Sequence, residues 1–186
     1  MKYLKKYNLF LEEADLDILA TDQPDVKVAK QSMEIVSKQL KEYTDGKKKS
    51  DIDTLYKTIK DPTQIEAGLN KILGSDVKSR NPFLVDYVST SKMKKRIDDE
   101  EKENVLDKVK LDDFQQELKI ITDPNTKKSL TTKVADVTKR MNDRVKNISK
   151  IQNDFLLADK AQKEKILKIE KDIKDNITKI SNVNQK

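Results

Sequence analysis

The sequence contains no cysteine and no histidine. Disulfide bonds, cysteine-ligated zinc, thiol nucleophiles and every histidine-based catalytic triad are therefore excluded. Glycine occurs only three times, at scattered positions, so the chain has no glycine-rich loop of the kind that binds phosphate. No pair of carboxylates stands out as an acid and a base. We therefore expect a protein that is not an enzyme and that needs no cofactor or metal ion.

Long hydrophobic runs are also missing. The longest apolar runs are a few residues long, whereas a membrane-spanning helix needs about 20 apolar residues in succession. The N-terminus is basic, with Lys2, Lys5 and Lys6, but Asn8 and Glu12 interrupt the apolar stretch that a secretory signal would require. The sequence predicts a soluble protein without a signal peptide and without a membrane span.

Charge is abundant and unevenly placed. Charged residues make up 39% of the chain and hydrophobic residues 35%, so folding is expected through narrow apolar seams on long elements rather than one thick core. The net charge is +6, and residues 125–186 carry 16 Lys and Arg against 8 Asp and Glu. A basic C-terminal segment of this kind favours loose electrostatic contact with nucleic acid or an acidic protein, without sequence specificity.

Apolar residues recur at helical spacing, and the fold class is predicted as all-α. Residues 1–80 are interpreted as a small helical region, with a leader helix over 2–19 and three short helices. The second helix follows Pro24 and ends at Asp45-Gly46. The lysines 47–49 are predicted to form a solvated loop before a helix capped by Ser50. Asp61-Pro62 and Asn81-Pro82 each combine a capping side chain with proline at the first helical position, which is typical of a helix start.

Residues 81–186 are interpreted as a long helical hairpin or coiled-coil arm, which makes the whole an elongated helical bundle. Neither glycine nor proline occurs in 83–123 or in 125–186, and the predicted turn is at 123–125. The polar stretch 91–103 is either a solvent-bridging helix or a break. Near residues 154–159, the helix is either continuous or broken a second time.

Apolar side chains at steps of three and four define helix-packing seams along these helices. The adjacent half of the hairpin and a second copy of the chain are both candidate partners for them, in parallel or antiparallel orientation. The seam residues are Met33, Val36 and Leu40; Val134, Val137 and Met141; and Ile166, Ile169 and Ile173.

An acidic cluster occupies part of the polar stretch, at Asp98, Asp99, Glu100, Glu101 and Glu103. A calcium site needs ligands folded around the ion by a tight glycine turn, whereas successive residues on a helix point in different directions. The cluster is therefore interpreted as a solvated helix face.

The first residues, MKYLKKYNLFLEEA, form a short amphipathic leader with aromatic residues. It resembles the capsid-targeting peptides of internal head proteins in T-even-like tailed phages. The maturation protease of that family cuts after glutamate in a Leu/Ile-x-Glu context, commonly before a small residue. The resemblance implies a processing site in which Leu11 is the apolar position, Glu13 precedes the cut and Ala14 follows it. The alternative is an ordinary amphipathic helix that packs on residues 24–44.

The function expected from these features is that of a structural or assembly protein that acts through helix–helix packing. The leader resemblance implies a component of a tailed-phage virion or head, located in the host cytoplasm or in the virion. The alternative is a binding module that uses its basic C-terminal helix on nucleic acid or on an acidic protein. Binding of the second kind weakens steeply with salt, whereas apolar packing does not.

Overall fold

The computed structural model describes residues 24–183, and this range contains helices and no strands. The all-α prediction and the bundle-like packing of long helices are confirmed. The predicted leader helix over 2–19 lies outside the described residues. The helices are α1 (Pro24–Asp45), α2 (Lys47–Thr58), α3 (Pro62–Leu73), a 3-10 turn (Val77–Ser79), α4 (Pro82–Ile120) and α5 (Pro124–Val183).

The described chain divides into two compact units. The first comprises residues 24–89 and 159–183, and the second is Thr90–Ala158. The helices α4 and α5 each contribute residues to both units. This division falls at other positions than the predicted boundary after residue 80.

Two apolar clusters form the core of the first unit. One joins α1, the start of α4 and the C-terminal part of α5; the other joins α2, α3 and α4. Inside the first, Gln162 donates a hydrogen bond from Nε2 to the carbonyl oxygen of Phe83 at 2.9 Å. The buried members are Met33, Leu40, Phe83 and Ile173 in one cluster and Ile52, Tyr56 and Leu84 in the other.

The predicted helix starts at Asp61 and Asn81 are confirmed. The carboxylate of Asp61 accepts hydrogen bonds from the backbone N–H groups of Thr63 (2.7 Å) and Gln64 (3.2 Å). The side-chain oxygen of Asn81 accepts one from the N–H of Phe83 at 3.0 Å. Each cap satisfies donors that the first helical turn leaves without an intrahelical partner.

The predicted loop over the lysines 47–49, with Ser50 as a cap, is wrong, because α2 begins at Lys47. Gly46 has φ +79°, a left-handed conformation that glycine adopts without steric cost. One residue therefore suffices to end α1 and to start α2. The N–H of Ser50 donates to the carbonyl of Gly46 at 2.9 Å, which is an ordinary helical hydrogen bond.

The second unit is a hairpin of two helices. Helix α4 is continuous through 91–103 and α5 through 154–159, so neither of the two alternatives with a break is realised. The connection spans residues 121–123 rather than 123–125, because Pro124 is the first residue of α5. Its fixed φ and missing N–H suit that position. Asp123 caps α5 by accepting from the N–H of Thr126 at 2.7 Å.

Candidate functional site

The two helices of the hairpin meet along a single seam. From residue 93 onwards, most buried and half-buried side chains of this unit recur at steps of three and four on each helix, which is the spacing of a heptad repeat. The middle of the seam is polar on both helices. The seam is formed on α4 by Met93, Ile97, Glu100, Asn104, Asp107, Leu111, Phe114 and Leu118, and on α5 by Leu130, Val134, Val137, Met141, Arg144, Ile148, Ile151 and Phe155.

Asp107 lies at the centre of this polar layer, and only 2% of its side chain is exposed. Arg140 approaches it from α5, with Nη2 3.3 Å from Oδ1 and Nε 3.4 Å from Oδ2. Arg144 donates from Nη1 to Oδ2. Lys110, one turn along α4, places its Nζ 3.4 Å from Oδ1. The carboxylate is thus covered by long cationic side chains.

Arg144 connects Asp107 to the two preceding turns of α4, which contain Glu103 and Glu100. Its Nη1 also lies 3.3 Å from the carbonyl oxygen of Glu103, and its Nε lies 3.5 Å from a carboxylate oxygen of Glu100. Asn147, one turn further along α5, donates from Nδ2 to Glu100 at 2.9 Å. Two acidic residues of α4 are therefore matched by two arginines and an amide of α5.

Electrostatics keep the Asp107 carboxylate ionised. Burial raises the pKa of this group, but hydrogen bonds and charge from Arg140 and Arg144 outweigh that effect and lower the pKa to about 2. A shift of the two helices that separated Asp107 from both arginines would leave its buried carboxylate without these partners, which is strongly destabilising. The layer therefore fixes the register of the two helices.

The sequence prediction missed this layer. The predicted solvated face of the acidic cluster is wrong for Glu100, which is half-buried against α5. The other members, Asp98, Asp99, Glu101 and Glu103, are exposed. Arg144 is not among the predicted seam residues, although it occupies a seam position on α5. The signal was the heptad spacing itself, which passes through Glu100, Asn104 and Asp107 when polar residues are allowed at seam positions.

The predicted seam residues all lie against other parts of the same chain. In the first unit, Met33, Leu40 and Ile173 are buried together, and Val36, Ile166 and Ile169 pack against them. In the hairpin, Val137 is buried, and Val134 and Met141 are half-buried. The structure thus fills these seams within one molecule. The predicted processing residues Leu11, Glu13 and Ala14 lie outside the described residues.

A second surface of the hairpin is apolar and faces away from α5. Val105, Leu106 and Val109 on α4 are 64%, 53% and 55% exposed. On the same face, Lys102 precedes these residues, and Asp112 and Asp113 follow them. The side chains of Lys102, Asp112 and Asp113 are exposed. We call residues 102, 105, 106, 109, 112 and 113 the outer stripe.

Other features of the described residues are less specific. A groove of about 710 Å³ belongs to the first unit and is open to solvent, with Ile35, Lys38, Glu42 and Asn81 among its walls. No group of three or more acidic residues within the described range is arranged to hold a metal ion. Over the same range, every helix is too short or too polar to cross a bilayer.

Comparisons with known proteins found no counterpart. No protein-family model matches the chain, and neither a curated protein nor a solved structure matches it.

Proposed function

We propose that this protein is a structural or assembly component that acts through helix–helix packing. The observation that carries the proposal is the outer stripe, where Val105, Leu106 and Val109 are exposed side by side on a helix whose own seam is already filled. Clustered exposed apolar side chains rimmed by charge are typical of protein interaction sites.

The filled seams strengthen this argument. Because Met33, Leu40, Val137 and Ile173 are buried within the chain, a partner that bound to them would first have to unfold the unit that contains them. Packing with another molecule is therefore expected on outward faces.

The first test concerns assembly in general. Complexes that contain the full chain are purified from its native source at low salt, and their sedimentation is measured at low and at high sodium chloride, with and without nuclease. Apolar helix packing predicts complexes larger than the monomer that persist in high salt and after nuclease. Complexes that dissociate in high salt and lose nucleic acid would support the basic-helix alternative. A monomer under every condition would contradict the proposal.

The sharper form of the proposal is a component of a tailed-phage virion or head. It is supported by the resemblance of residues 1–14 to capsid-targeting peptides, with Leu11, Glu13 and Ala14 matching the processing pattern. Within this proposal, cleavage after Glu13 removes the targeting peptide during head maturation.

The chain contains its own control for this form. Leu40-Lys41-Glu42 also has the Leu-x-Glu pattern, but Leu40 is 1% exposed and lies inside α1. Incubation of the full chain with the maturation protease of a T-even-like phage is expected to cut after Glu13 and not after Glu42. Mass spectrometry reads the product, Glu13→Gln should abolish it, and Glu42→Gln should not. A chain that remains intact would overturn the phage form and leave the assembly proposal standing.

A further inference from the structure

We infer that the outer stripe of α4 is a contact between two copies of this chain, packed antiparallel about a two-fold axis near residue 107. This inference rests on the proposed function and names the partner of the same surface. It concerns residues of the hairpin unit alone.

The stripe lies on one face of α4. From Lys102, the steps to Val105, Leu106 and Val109 are three, four and seven residues, which places these side chains on one side of a helix. Asp112 and Asp113 extend the same side by another turn. Within the described chain, Lys102, Asp112 and Asp113 form no ion pair or side-chain hydrogen bond. The charged ends of the stripe are therefore available to a partner.

The order of charges is what selects a second copy. The stripe has a cation at one end, apolar residues in the middle and two carboxylates at the other end. When two such helices run antiparallel, Lys102 of each copy faces Asp112-Asp113 of the other, and Val105 of each faces Val109 of the other. Opposite charges then meet at both ends of the contact, and the apolar residues cover one another.

A parallel arrangement is disfavoured by the same residues. It would place Lys102 beside Lys102 and the Asp112-Asp113 pair beside its copy, and like charges in apposition oppose association. A two-fold interface uses one patch twice, so a single stripe with opposite charges at its ends is complementary to itself only in the antiparallel sense.

The small size of the outer stripe indicates how tightly two copies are expected to bind. One helix face with three apolar side chains per copy belongs with small, transient interfaces rather than obligate ones. The dimer is therefore expected to depend on concentration. It would supply a weak contact that many copies in an assembly can repeat.

The first experiment measures self-association of the full chain by sedimentation equilibrium over a wide concentration range. Leu106→Gln is expected to weaken dimerisation by about tenfold or more, since a tenfold change corresponds to only about 1.4 kcal/mol. Leu157→Gln is the matched control, because Leu157 is a leucine on α5 that is 68% exposed and lies outside the stripe. Both side chains are exposed, so folding should be retained, and circular dichroism checks this.

The second experiment exchanges the charges. Lys102→Asp alone and the double variant Asp112→Lys, Asp113→Lys should each weaken self-association by about tenfold or more, because each brings like charges together in its own dimer. A mixture of the two variants should restore dimers, since opposite charges then meet at both ends of the mixed dimer. The triple variant with all three changes in one chain should also dimerise.

The outcomes are decisive and separate from those of the proposed function. A wild-type chain that stays monomeric at every concentration overturns the inference, and so does a dimer that tolerates Leu106→Gln and the charge reversals. A mixture that fails to recover dimers overturns the antiparallel pairing. In each of these cases, native complexes that persist in high salt would still support helix packing through another surface.

Discussion

Arg144 on α5 donates a hydrogen bond to the carboxylate of Asp107 on α4, 37 residues earlier in the chain. The apolar residues on either side of this pair recur at heptad spacing and would pack comparably after a shift of one heptad. The ion pair disfavours a shift that separates these two residues, because the buried Asp107 carboxylate would then lose its partner. Asp107 and Arg144 therefore determine which turns of the hairpin face each other.

The Asp107 carboxylate should make stability depend on pH in the acid range. Its pKa in the folded chain is about 2, below the ordinary 3.8. A lowered pKa contributes stability that is fully present above pH 4 and is lost as the pH falls towards 2. The contribution is expected to be about 2 kcal/mol.

Urea unfolding of the wild type and of Asp107→Asn at pH 2, 3, 4 and 7 checks this expectation. Other carboxylates titrate over the same range, so the quantity of interest is the difference between the two chains. This difference should be largest at neutral pH and should shrink below pH 4. A constant difference would show that the ionised form of Asp107 is not what stabilises the hairpin.

Asn81 should tolerate replacement by aspartate poorly, although aspartate is normally a good cap. Its Nδ2 donates to the carbonyl oxygen of Gln39 at 2.7 Å and to a carboxylate oxygen of Glu42 at 2.9 Å, while its Oδ1 caps α4. Asn81→Asp would put a carboxylate against these two acceptors, and we expect a loss of about 2–3 kcal/mol. Asp61→Asn, at the exposed cap of α3, is the control and should change stability by less than about 0.5 kcal/mol. Equal effects in chemical denaturation would contradict the assigned role of Asn81.

Gly68 in α3 should resist replacement by alanine. In an exposed helix interior this change stabilises by about 1 kcal/mol. Here a Cβ would collide with the Leu55 side chain of α2, whose Cγ would be 3.2 Å away. We therefore expect Gly68→Ala to give no gain or a net loss in melting temperature, and Leu55→Ala to remove the collision. A double-mutant cycle measures the coupling, and strictly additive effects would exclude the contact.

Ile173 should be important for folding of the first unit. It is 4% exposed and packs with Met33, Leu40 and Phe83. Ile173→Ala is expected to cost about 2–4 kcal/mol, and Ile173→Lys more, because it buries an unpaired charge. Leu167→Ala is the control on the same helix, since Leu167 is 63% exposed. Thermal unfolding that is unchanged in Ile173→Lys would refute the burial of this position.

Much of the fold could be predicted because local chemistry determines it. Asp61-Pro62 and Asn81-Pro82 start helices through capping and through the fixed φ of proline, which involve only neighbouring residues. The all-α class follows from apolar residues at helical spacing. The predicted start of α2 at Ser50 is wrong, because α2 begins at Lys47. The sequence shows that Gly46 ends a helix, but it does not show that the next helix begins at the following residue.

What the sequence by itself determined is therefore the set of helices and the apolar side chains that need burial. Only the tertiary structure decided what covers those side chains, because burial depends on residues far apart in the chain. It placed Ile173 against Met33 within one molecule, paired Asp107 with Arg140 and Arg144, and left Val105, Leu106 and Val109 without cover on α4. Spacing along a helix specifies that two side chains share a face, and the packing of the other helices decides whether that face is inside or outside.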